Sequence, residues 1–598
     1  MQTSTRISAV AATGILSLFL ALTLSAQGGK QGLLTGRVTS PSGAAIEGVA
    51  VSAQAPGSPI TTSVYSQADG RYFFPAMKAG NYKVWAQAVG LDRGESNASL
   101  SSGTARVDFK LADIPDYIRQ LSGYQGLAAL PEDTREHRRG KVLLQKMCTY
   151  CHETASVLRG RFDQQGWEII VGVMTSGFNP GNTKPLTAIQ KELATYLTEM
   201  RGPGPSPMKT QIFRPKGEAT LPVFYDYDVE YEGGGYTAHN GSDWRYGQAS
   251  SAGGSGGMHD AAADDDGNIW MTVPGSPAKR TVVRIDGATG AVSEFAVPLR
   301  DGTGIAKAHG ISNGPDGRIY FNASPRIAYL DGTMGIIEPK SRTVESIAPP
   351  DGMTRVSGWL GVDAKGFIWA ASGSMQKGAA LRFDPRTKAF KQFPSPTASM
   401  TYGVAGDMDG NGWWTGVNDD VIVHGNATTG EVTEIKLPAQ LPAEFVKPGD
   451  FAEGEQIPQP GIGGKQSPRR PYADLKSPAL WVPNFFGNSL VRIDTRTKAV
   501  KYIPVPFSGM NPYEAAVDSM GRVWVTFQNS DEMGRYDPAA GTWTIYSYPT
   551  KGMAQRQNHI DERNGVLQFV SASGPSHRVG KFVVRSAKDV QALRDKTK

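Results

Sequence analysis

Short runs of alternating apolar and polar residues recur between residues 218 and 585, with a period of about 45 to 50 residues. Each repeat has two halves of similar design. The first half contains an Asp-x-x-Gly turn followed by an apolar strand with an aromatic residue. The second contains Arg, an apolar residue and Asp, then a turn and an alternating strand that ends in Pro. Two hairpin-like halves predict four antiparallel strands in each repeat.

The first half of the repeat occurs seven times, at residues 264–270, 314–320, 363–369, 407–413, 479–481, 518–524 and 564–569. The second half is clearest at residues 284–298, 382–394, 492–504 and 535–549. Repeats of this length with four strands each are typical of propeller blades, so the sequence predicts a seven-bladed β-propeller over residues 218–585. Residues 223–231 predict an additional strand, which we expect to pair with residues 578–585 and close the ring.

Residues 32–112 show a second β pattern, with short alternating strands separated by glycine-rich turns. Asp69-Gly70 is a strong hairpin signal, and the strands around Tyr72 and Val84 follow the same alternation. This segment resembles the carboxypeptidase regulatory-like domain, a seven-stranded β-sandwich of the prealbumin type. The resemblance implies a structural module, or one that binds carbohydrate or a partner, without catalysis.

Residues 113–207 have helical rather than strand periodicity. A charged helix is predicted over residues 132–145, a second helix over 167–174 and a third over 186–200, where apolar residues recur at helical spacing. A linker rich in proline and glycine follows at residues 202–207. The sequence therefore predicts a mainly β, multidomain protein with a β-sandwich, a small all-α domain and a seven-bladed β-propeller.

Residues 1–26 have the composition of a secretory signal peptide. Arg6 supplies the positive charge, residues 9–24 are apolar, and Ser25 and Ala26 are small residues near the expected cleavage point. An uncleaved membrane anchor is the alternative. Because no other apolar run is long enough to span a bilayer, we expect a periplasmic or secreted protein with no stable membrane span after cleavage.

Charge and cysteine content narrow the class of function. The 598 residues carry a net charge of +6 that is spread along the chain, which argues against a nucleic-acid partner. The chain has two cysteines, Cys148 and Cys151, and both belong to the motif Cys-Thr-Tyr-Cys-His that ends at His152. This is the spacing by which a chain captures haem c. Each thiol can form a thioether with a haem vinyl group, and the His152 imidazole can bind the iron as proximal ligand.

Three other interpretations of the motif account less well for the presence of both cysteines of the chain within it. They are a chance Cys-x-x-Cys-His, a disulfide across two residues, and a zinc site without a second ligand pair. The three predicted helices resemble a small class I cytochrome c. The arrangement of Trp167, Met174 and Tyr196-Leu197 resembles haem domains fused to periplasmic dehydrogenases. The resemblance implies a cytochrome c domain over residues 113–207 with one covalent haem c.

Met174 is the predicted second axial ligand of the iron, because a thioether is the usual partner of histidine and raises the reduction potential. Packing of Met174 in the core is the alternative. Many class I domains carry this methionine in the loop before the last helix, but residues 175–185 contain none. Met200, His137 and a five-coordinate iron therefore stay open, whereas Met147 is expected on the wrong face of its helix.

Equivalent positions of the propeller repeat should meet around the central channel. The position eight residues before the turn glycine begins each innermost strand, and in five repeats it holds His259, His309, Gly358, Tyr402 and Tyr513. In the last repeat, which lacks the usual turn, His559 is assigned to this place. In the fifth repeat Arg470 or Tyr472 is near. Ring closure makes blades 7, 1 and 2 neighbours, so the three histidines should gather at one side of the channel mouth.

His259, His309 and His559 are therefore the candidate catalytic residues, with Asp260 and Glu514 as adjacent carboxylates. Three converging imidazoles can bind a divalent cation or supply an acid and a base. Hydrogen bonding of each histidine within its own blade is the alternative.

The propeller repeat resembles the virginiamycin B lyase (streptogramin lyase) family of seven-bladed propellers, over about 360 residues. The resemblance implies a reaction in which His and Glu remove a proton beside an ester carbonyl with the help of a divalent cation. The last-blade histidine of that family matches His559. Tyr513 stands where the family has another histidine, which weighs against lyase activity, and a fold alone does not carry an activity.

A long insertion at residues 439–477 interrupts the fifth repeat and is rich in proline and glycine. It is expected to cover the channel mouth, to dock the haem domain, or to form a surface loop.

The sequence supports three hypotheses about function. The first is an exported c-type haem protein that transfers electrons, with the propeller binding a redox partner protein or a small-molecule substrate, as in a haem-dependent periplasmic oxidoreductase. The second is a propeller lyase acting on an ester or lactone with an accessory haem. The third is a binding protein without turnover.

Overall fold

The computed structural model describes residues 30–149, 152–175, 185–229, 236–252, 258–274, 280–299, 302–325, 332–374, 377–438, 447, 449–450, 466–557, 559–563, 566–573 and 576–597. The expected signal peptide, Cys151 and most of the insertion at residues 439–477 lie outside these ranges. The described chain is mainly β, with many sheets and few helices.

The N-terminal domain is a β-sandwich of two sheets. Its strands are Gln31–Thr39, Ala50–Gln54, Ile60–Tyr65, Arg71–Phe73, Met77–Lys78, Gly80–Gln87, Gly94–Leu100, Thr104–Arg106 and Phe109–Lys110. The first strand pairs with four of the short strands, and the other sheet has the order Ile60–Tyr65, Ala50–Gln54, Gly80–Gln87, Gly94–Leu100. Leu34 from the first sheet and Val51 and Val84 from the second are fully buried in one apolar cluster, so the core lies between the two sheets.

The described part of the propeller has seven blades of four antiparallel strands; six are separate sheets and the seventh is part of a larger sheet. Blade 1 contains Ala261–Ala263, Ile269–Thr272, Val282–Ile285 and Val292–Phe295; blade 2 contains Lys307–Asn313, Ile319–Ser324, Thr333–Glu338 and Thr343–Ile347. Blade 3 contains Val356–Val362, Ile368–Gly373, Gly378–Phe383 and Phe390–Pro394; blade 4 contains Thr401–Gly406, Gly412–Gly416, Val421–Gly425 and Val432–Lys436. Blade 5 contains Tyr472–Ala473, Ala479–Asn484, Ser489–Asp494 and Val500–Pro504; blade 6 contains Pro512–Val517, Val523–Phe527, Glu532–Asp537 and Thr542–Ser547. Blade 7 contains His559–Arg563, Val566–Ser573, Arg578–Val583 and Val223–Asp228.

The ring is closed by the strand that precedes blade 1. Val223–Asp228 pairs antiparallel with Arg578–Val583 and so becomes the outermost strand of blade 7, as the sequence predicts. The innermost strands of successive blades contact one another, and the innermost strands of blades 7 and 1 also contact. Closure therefore joins the two ends of the propeller within one sheet.

The sandwich and the propeller share a sheet, which the sequence did not predict. The outer edge of Val223–Asp228 pairs with the sandwich strand Ile60–Tyr65 over five residue pairs. Blade 7 and the larger sheet of the sandwich thus form one eight-stranded sheet. An unpaired strand edge exposes backbone groups that can pair with another strand, and the sandwich satisfies this edge of the propeller.

The aspartate of the Asp-x-x-Gly turn has a structural role in the repeat. The indole Nε1 of Trp369 donates to Asp363 Oδ2 at 3.0 Å, and Asp363 Oδ1 accepts from the backbone of Lys365 and Phe367. The same bond, from a tryptophan to the aspartate six residues earlier, occurs in blades 1, 4 and 6 at 2.8–2.9 Å. One carboxylate therefore fixes both the turn and the buried aromatic side chain.

Replacing Asp363 by alanine should lower the free energy of unfolding by about 2 to 3 kcal/mol, because it leaves the buried indole N–H and two turn amides without an acceptor. Urea denaturation followed by tryptophan fluorescence measures this loss. Asp351→Ala is the matched control, since the Asp351 side chain is 97% exposed and its removal should change stability by less than about 0.5 kcal/mol. Equal losses in the two variants would contradict the role assigned to Asp363.

Six α-helices occur in the described chain: α1 Gly123–Ala128, α2 Arg135–Cys148, α3 Thr154–Leu158, α4 Gln164–Thr175, α5 Ala188–Arg201 and α6 Ala587–Lys596. The remaining elements are the 3₁₀ turns Ile118–Gln120, Gly217–Thr220 and Trp244–Tyr246, and a hairpin of Tyr236–His239 with Ser250–Ala252. Helices α2, α4 and α5 correspond to the three predicted helices, whereas α1, α3 and α6 were not predicted. Among the described residues, no helix combines the length and apolar character that crossing a membrane requires.

Helices α1 to α5, which we call the helical segment, share one apolar core. Leu143 on α2, Trp167 on α4 and Leu197 on α5 are buried together. The side chain of Thr134 caps α2 by accepting from the backbone of His137 at 3.0 Å. This cap starts the helix that carries Cys148 at its last position.

Candidate functional site

The helical segment is docked on one end of the propeller. The backbone N–H of Tyr124 donates to the carbonyl of Asn529 at 2.9 Å, and the backbone and hydroxyl of Thr154 donate to Asn529 Oδ1 at 2.8 and 3.1 Å. Asn529 is fully buried just beyond the second strand of blade 6, at the end where the innermost strand begins. The helical segment therefore lies over the channel mouth at which the candidate histidines were expected.

Thr149, inside the Cys-x-x-Cys-His motif, is held directly by the propeller. Asn511 Nδ2 donates to the Thr149 hydroxyl at 3.0 Å, and Gln528 Nε2 donates to the Thr149 carbonyl at 3.3 Å. On the same helix, Lys146 Nζ donates to the carbonyl of Phe486 at 3.3 Å and lies 4.2 Å from its ring centroid. All these groups are buried, so blades 5 and 6 fix the position of Thr149 and of the last turn of α2.

A cleft in the helical segment is lined by Cys148, His152 and Met174 together. The rest of its wall is Met147, Val157, Ile170, Val171, Thr175, Leu193 and Leu197. A thiol, an imidazole and a thioether thus share one largely apolar cleft, although they lie on different elements of the chain. Cys151 lies outside the described residues.

His152 is held in the tautomer that a metal ligand needs. Its Nδ1 lies 3.2 Å from the carbonyl oxygen of Glu153, which can only accept, so Nδ1 carries the proton and the lone pair is on Nε2. Burial, and then the charges of Arg159 and Arg556, lower the pKa of His152 below its ordinary value. The imidazole is therefore neutral near neutral pH and able to bind a metal.

The residues considered as a second iron ligand lie at different places relative to the cleft. Met174 is 43% exposed at the cleft, which does not fit the alternative of a core residue. Met200 is fully buried in the helical core and does not line the cleft. His137 lies between Asp133 at 2.5 Å and Glu199 at 2.8 Å, away from the cleft. Met147 does line the cleft, so the expectation that it sits on the wrong face was wrong: Met147 and Cys148 are the last two positions of α2 and both border the cleft.

Arg470 occupies the centre of the propeller channel. Its side chain is fully buried, and Nη1 donates to Asp260 Oδ1 at 2.9 Å, Glu514 Oε2 at 3.2 Å and the carbonyl of Arg556 at 3.1 Å. The guanidinium also lies 4.3 Å from the ring centroid of Trp359. One arginine from the insertion before blade 5 therefore contacts blades 1, 3 and 6 and the segment that precedes blade 7.

His259 and His309 meet in this channel, with their ring centroids 3.8 Å apart. The Nδ1 of His259 donates to Asp260 Oδ1 at 2.8 Å. Burial lowers the pKa of both imidazoles. Burial opposes ionisation of Asp260, but Arg470 and then His259 hold the pKa of its carboxyl well below the usual range. The arrangement thus combines two neutral imidazoles with an ionised carboxylate.

His559 does not join His259 and His309. It pairs with Val570, and the equivalent pair in blade 1 is Ala261 with Met271, so His559 lies two residues farther along its strand than His259. The first two strands of blade 7 stay paired up to Arg563 and Val566, so counting back from a turn glycine misplaced the residue. Burial lowers the pKa of His559 to about 4.

Other channel positions carry a tyrosine pair. The hydroxyls of Tyr402 and Tyr513 are hydrogen-bonded to each other, and the Arg469 guanidinium lies 4.9 and 5.1 Å from their ring centroids. Tyr472, the other candidate in blade 5, pairs with Trp481 in its own blade. Arg470 rather than Tyr472 therefore reaches the channel.

The insertion contributes to both the channel and the helical segment. Arg469 and Arg470 from its end are buried in the channel. Asp450 accepts a two-pronged bond from Arg138 on α2, with distances of 2.8 and 2.9 Å, and the Gly449 carbonyl accepts from Arg135 at 2.7 Å. The described residues of the insertion therefore join the propeller channel to helix α2 and do not form a free surface loop.

Sequence reasoning missed Glu153, which is buried between the helical segment and the propeller. Its carboxylate accepts from the backbone of Gly123 at 2.9 Å and from the Gln248 side chain. Burial, and then the neighbouring Asp531, raise its pKa well above the usual value. Glu153 follows His152 directly, but no local pattern indicates that a glutamate there is buried by residues almost four hundred positions away.

Residues 34–112 match the carboxypeptidase regulatory-like domain family. No curated protein matches the chain. Among solved structures, virginiamycin B lyase from Staphylococcus aureus is 18% identical, with a TM-score of 0.42, over 55% of this chain and 96% of that one. A streptogramin B lyase is 18% identical, with a TM-score of 0.41, over 55% of this chain and 94% of that one. The activity named for those proteins is theirs.

Proposed function

We propose that the protein is an exported c-type haem protein that transfers single electrons, with the propeller as a binding domain for a substrate or redox partner. The observation that carries the proposal is the cleft in which Cys148, His152 and Met174 meet. Cleft, motif and histidine tautomer fit a haem c. When bound, haem would supply the electron-transfer chemistry.

The chain's own residues have separate roles in this proposal. The thiols of Cys148 and Cys151 would anchor the group covalently, and His152 would present Nε2 to its iron. The apolar walls around Val171 and Leu197 would keep water from a bound haem, which would favour the less charged, reduced state of its iron. Thr149 is bonded to blade 6, so the propeller holds the residue that follows Cys148.

The proposal is tested by a reduced-minus-oxidised absorption spectrum of protein produced in a host that matures haem c. A haem spectrum that is reversibly reduced supports electron transfer. A protein that carries no haem after such production contradicts the proposal.

Met174→Leu should abolish any weak sulfur-to-iron band of the oxidised protein and lower the reduction potential, because a thioether favours reduced iron. The expected fall is on the order of 0.1 to 0.2 V, a part of the ~0.8 V range that axial ligands span. A redox titration followed by absorption measures it. Met200→Leu is the control, since Met200 is buried away from the cleft and its variant should keep the wild-type potential. Loss of the band in Met200→Leu instead would reassign the ligand.

A lyase acting on an ester or lactone is the second candidate, and it is favoured by the two imidazoles and two carboxylates in the channel. His259 could accept a proton beside a carbonyl that a divalent cation polarises. Metal-dependent ester opening that is lost in His259→Ala would support it. The absence of turnover on esters, lactones and redox substrates alike would leave a binding role for the propeller.

A further inference from the structure

We infer that His259, Asp260 and His309 bind one divalent transition-metal ion in the propeller channel, beneath the helical segment. One ligand atom of each residue lies within 4.8 Å of the others. The inference concerns a second metal centre, separate from the Cys-x-x-Cys-His motif. It stands whether or not the protein carries a haem.

Two of the three side chains contain an unsatisfied acceptor or donor. Within the described residues, neither Nδ1 of His309 nor Oδ2 of Asp260 has a hydrogen-bond partner. His309 is 8% exposed and Asp260 is fully buried, so bulk water does not satisfy these atoms. Leaving a buried polar atom unpaired costs about 1 to 3 kcal/mol, and more for a charged group. A cation bound to both atoms would remove that cost.

His259 and Asp260 already lie side by side, with Nδ1 of His259 2.8 Å from Asp260 Oδ1. Nε2 lies on the opposite side of the imidazole ring, so a cation bound to Asp260 would reach His259 through Nδ1. The proton of the neutral imidazole would then sit on Nε2, and Nδ1 and the Asp260 carboxylate would bind the cation together.

The donor set selects the class of metal. Two imidazole nitrogens and one carboxylate oxygen suit Zn²⁺, Co²⁺ and similar ions, whereas Ca²⁺ and Mg²⁺ prefer oxygen ligands throughout. Arg470 lies beside the site but is shared between Asp260 and Glu514, so two carboxylates face one guanidinium. Three protein ligands also leave a coordination position for water or a small ligand, which is the pattern of a catalytic rather than a structural site.

Cobalt is the probe of choice, because its visible absorption reports ligand geometry. Untagged holoprotein is dialysed against EDTA, which leaves covalent haem in place, and titrated with Co²⁺ alone. We expect one equivalent to bind with new visible bands, and Zn²⁺ to displace it. Metal analysis of the dialysed sample, with iron counted separately, gives the stoichiometry.

His309→Gln should weaken Co²⁺ binding by more than about 100-fold, because loss of an outer-shell partner alone costs about 10- to 100-fold. His424→Gln is the matched control. His424 is also a histidine with a lowered pKa, but it lies on the third strand of blade 4 against Trp413, outside the channel. It should bind Co²⁺ as the wild type does.

Asp260→Asn is the second variant, since it removes the carboxylate charge but keeps the side-chain volume, and Glu514 still faces Arg470. Metal should raise the melting temperature of the wild type and of His424→Gln, and should leave that of His309→Gln and Asp260→Asn unchanged. A wild type that binds no Co²⁺, or binding that survives in both His309→Gln and Asp260→Asn, would overturn the inference.

Discussion

Replacing Arg470 by methionine should lower the free energy of unfolding by about 3 to 5 kcal/mol, the usual cost of breaking a buried ion pair by removing one partner. Arg470 is fully buried and its Nη1 bonds both Asp260 and Glu514. The variant leaves these two carboxylates without a cation in the centre of the channel. Urea denaturation of wild type and variant measures the difference.

The control for this variant is Arg496→Met. Arg496 is 61% exposed and lies 3.7 Å from Asp409, so its removal should cost no more than about 1 kcal/mol. Adding Asp260→Asn and Glu514→Gln to Arg470→Met should recover part of the lost stability, since members of one network are coupled. Equal losses for Arg470→Met and Arg496→Met would contradict the central role of Arg470.

The stability lost in Arg470→Met should depend on pH. In the wild type the folded-state pKa of Asp260 is depressed, so this group contributes stability above its unfolded pKa and the contribution is lost as pH falls. Without Arg470, burial raises the pKa of Asp260 instead, because the charged form is no longer compensated. The difference between variant and wild type should therefore shrink in acid.

Replacing Cys148 and Cys151 together by alanine should remove covalently attached haem completely. Each thiol supplies one thioether, and the chain has no other cysteine to replace them. The variant should show no haem band on a denaturing gel, whereas His137→Ala should stain like the wild type, because His137 is bonded to Asp133 and Glu199 outside the cleft. Haem staining that persists in the double variant would contradict the assignment.

The blades were predictable from the sequence because their signal is local. Each Asp-x-x-Gly turn and its tryptophan are joined by a hydrogen bond between residues six apart, so the pattern and the contact coincide. His559 was misplaced where that turn is missing, in blade 7. There the register follows from the pairing of His559 with Val570, and pairing with a distant strand leaves no mark at a fixed spacing.

Which residues meet in the site was harder to predict from the sequence, because this depends on contacts between distant parts of the chain. Arg470 bonds Asp260 across 210 positions, and Thr154 bonds Asn529 across 375. The sequence also does not reveal the pairing of the sandwich strand Ile60–Tyr65 with Val223–Asp228, since an alternating pattern predicts a strand but not its partner. The sequence indicated which residue types could act, while the ring closure and the docking of the helical segment decided which of them meet.

Intact mass spectrometry of the denatured wild-type protein, produced in a host that matures haem c, tests the central claim most directly. Denaturation removes every ligand that is not covalently bound. The account predicts a single species heavier than the mature polypeptide by the mass of one haem. A species with the mass of the polypeptide alone would contradict it.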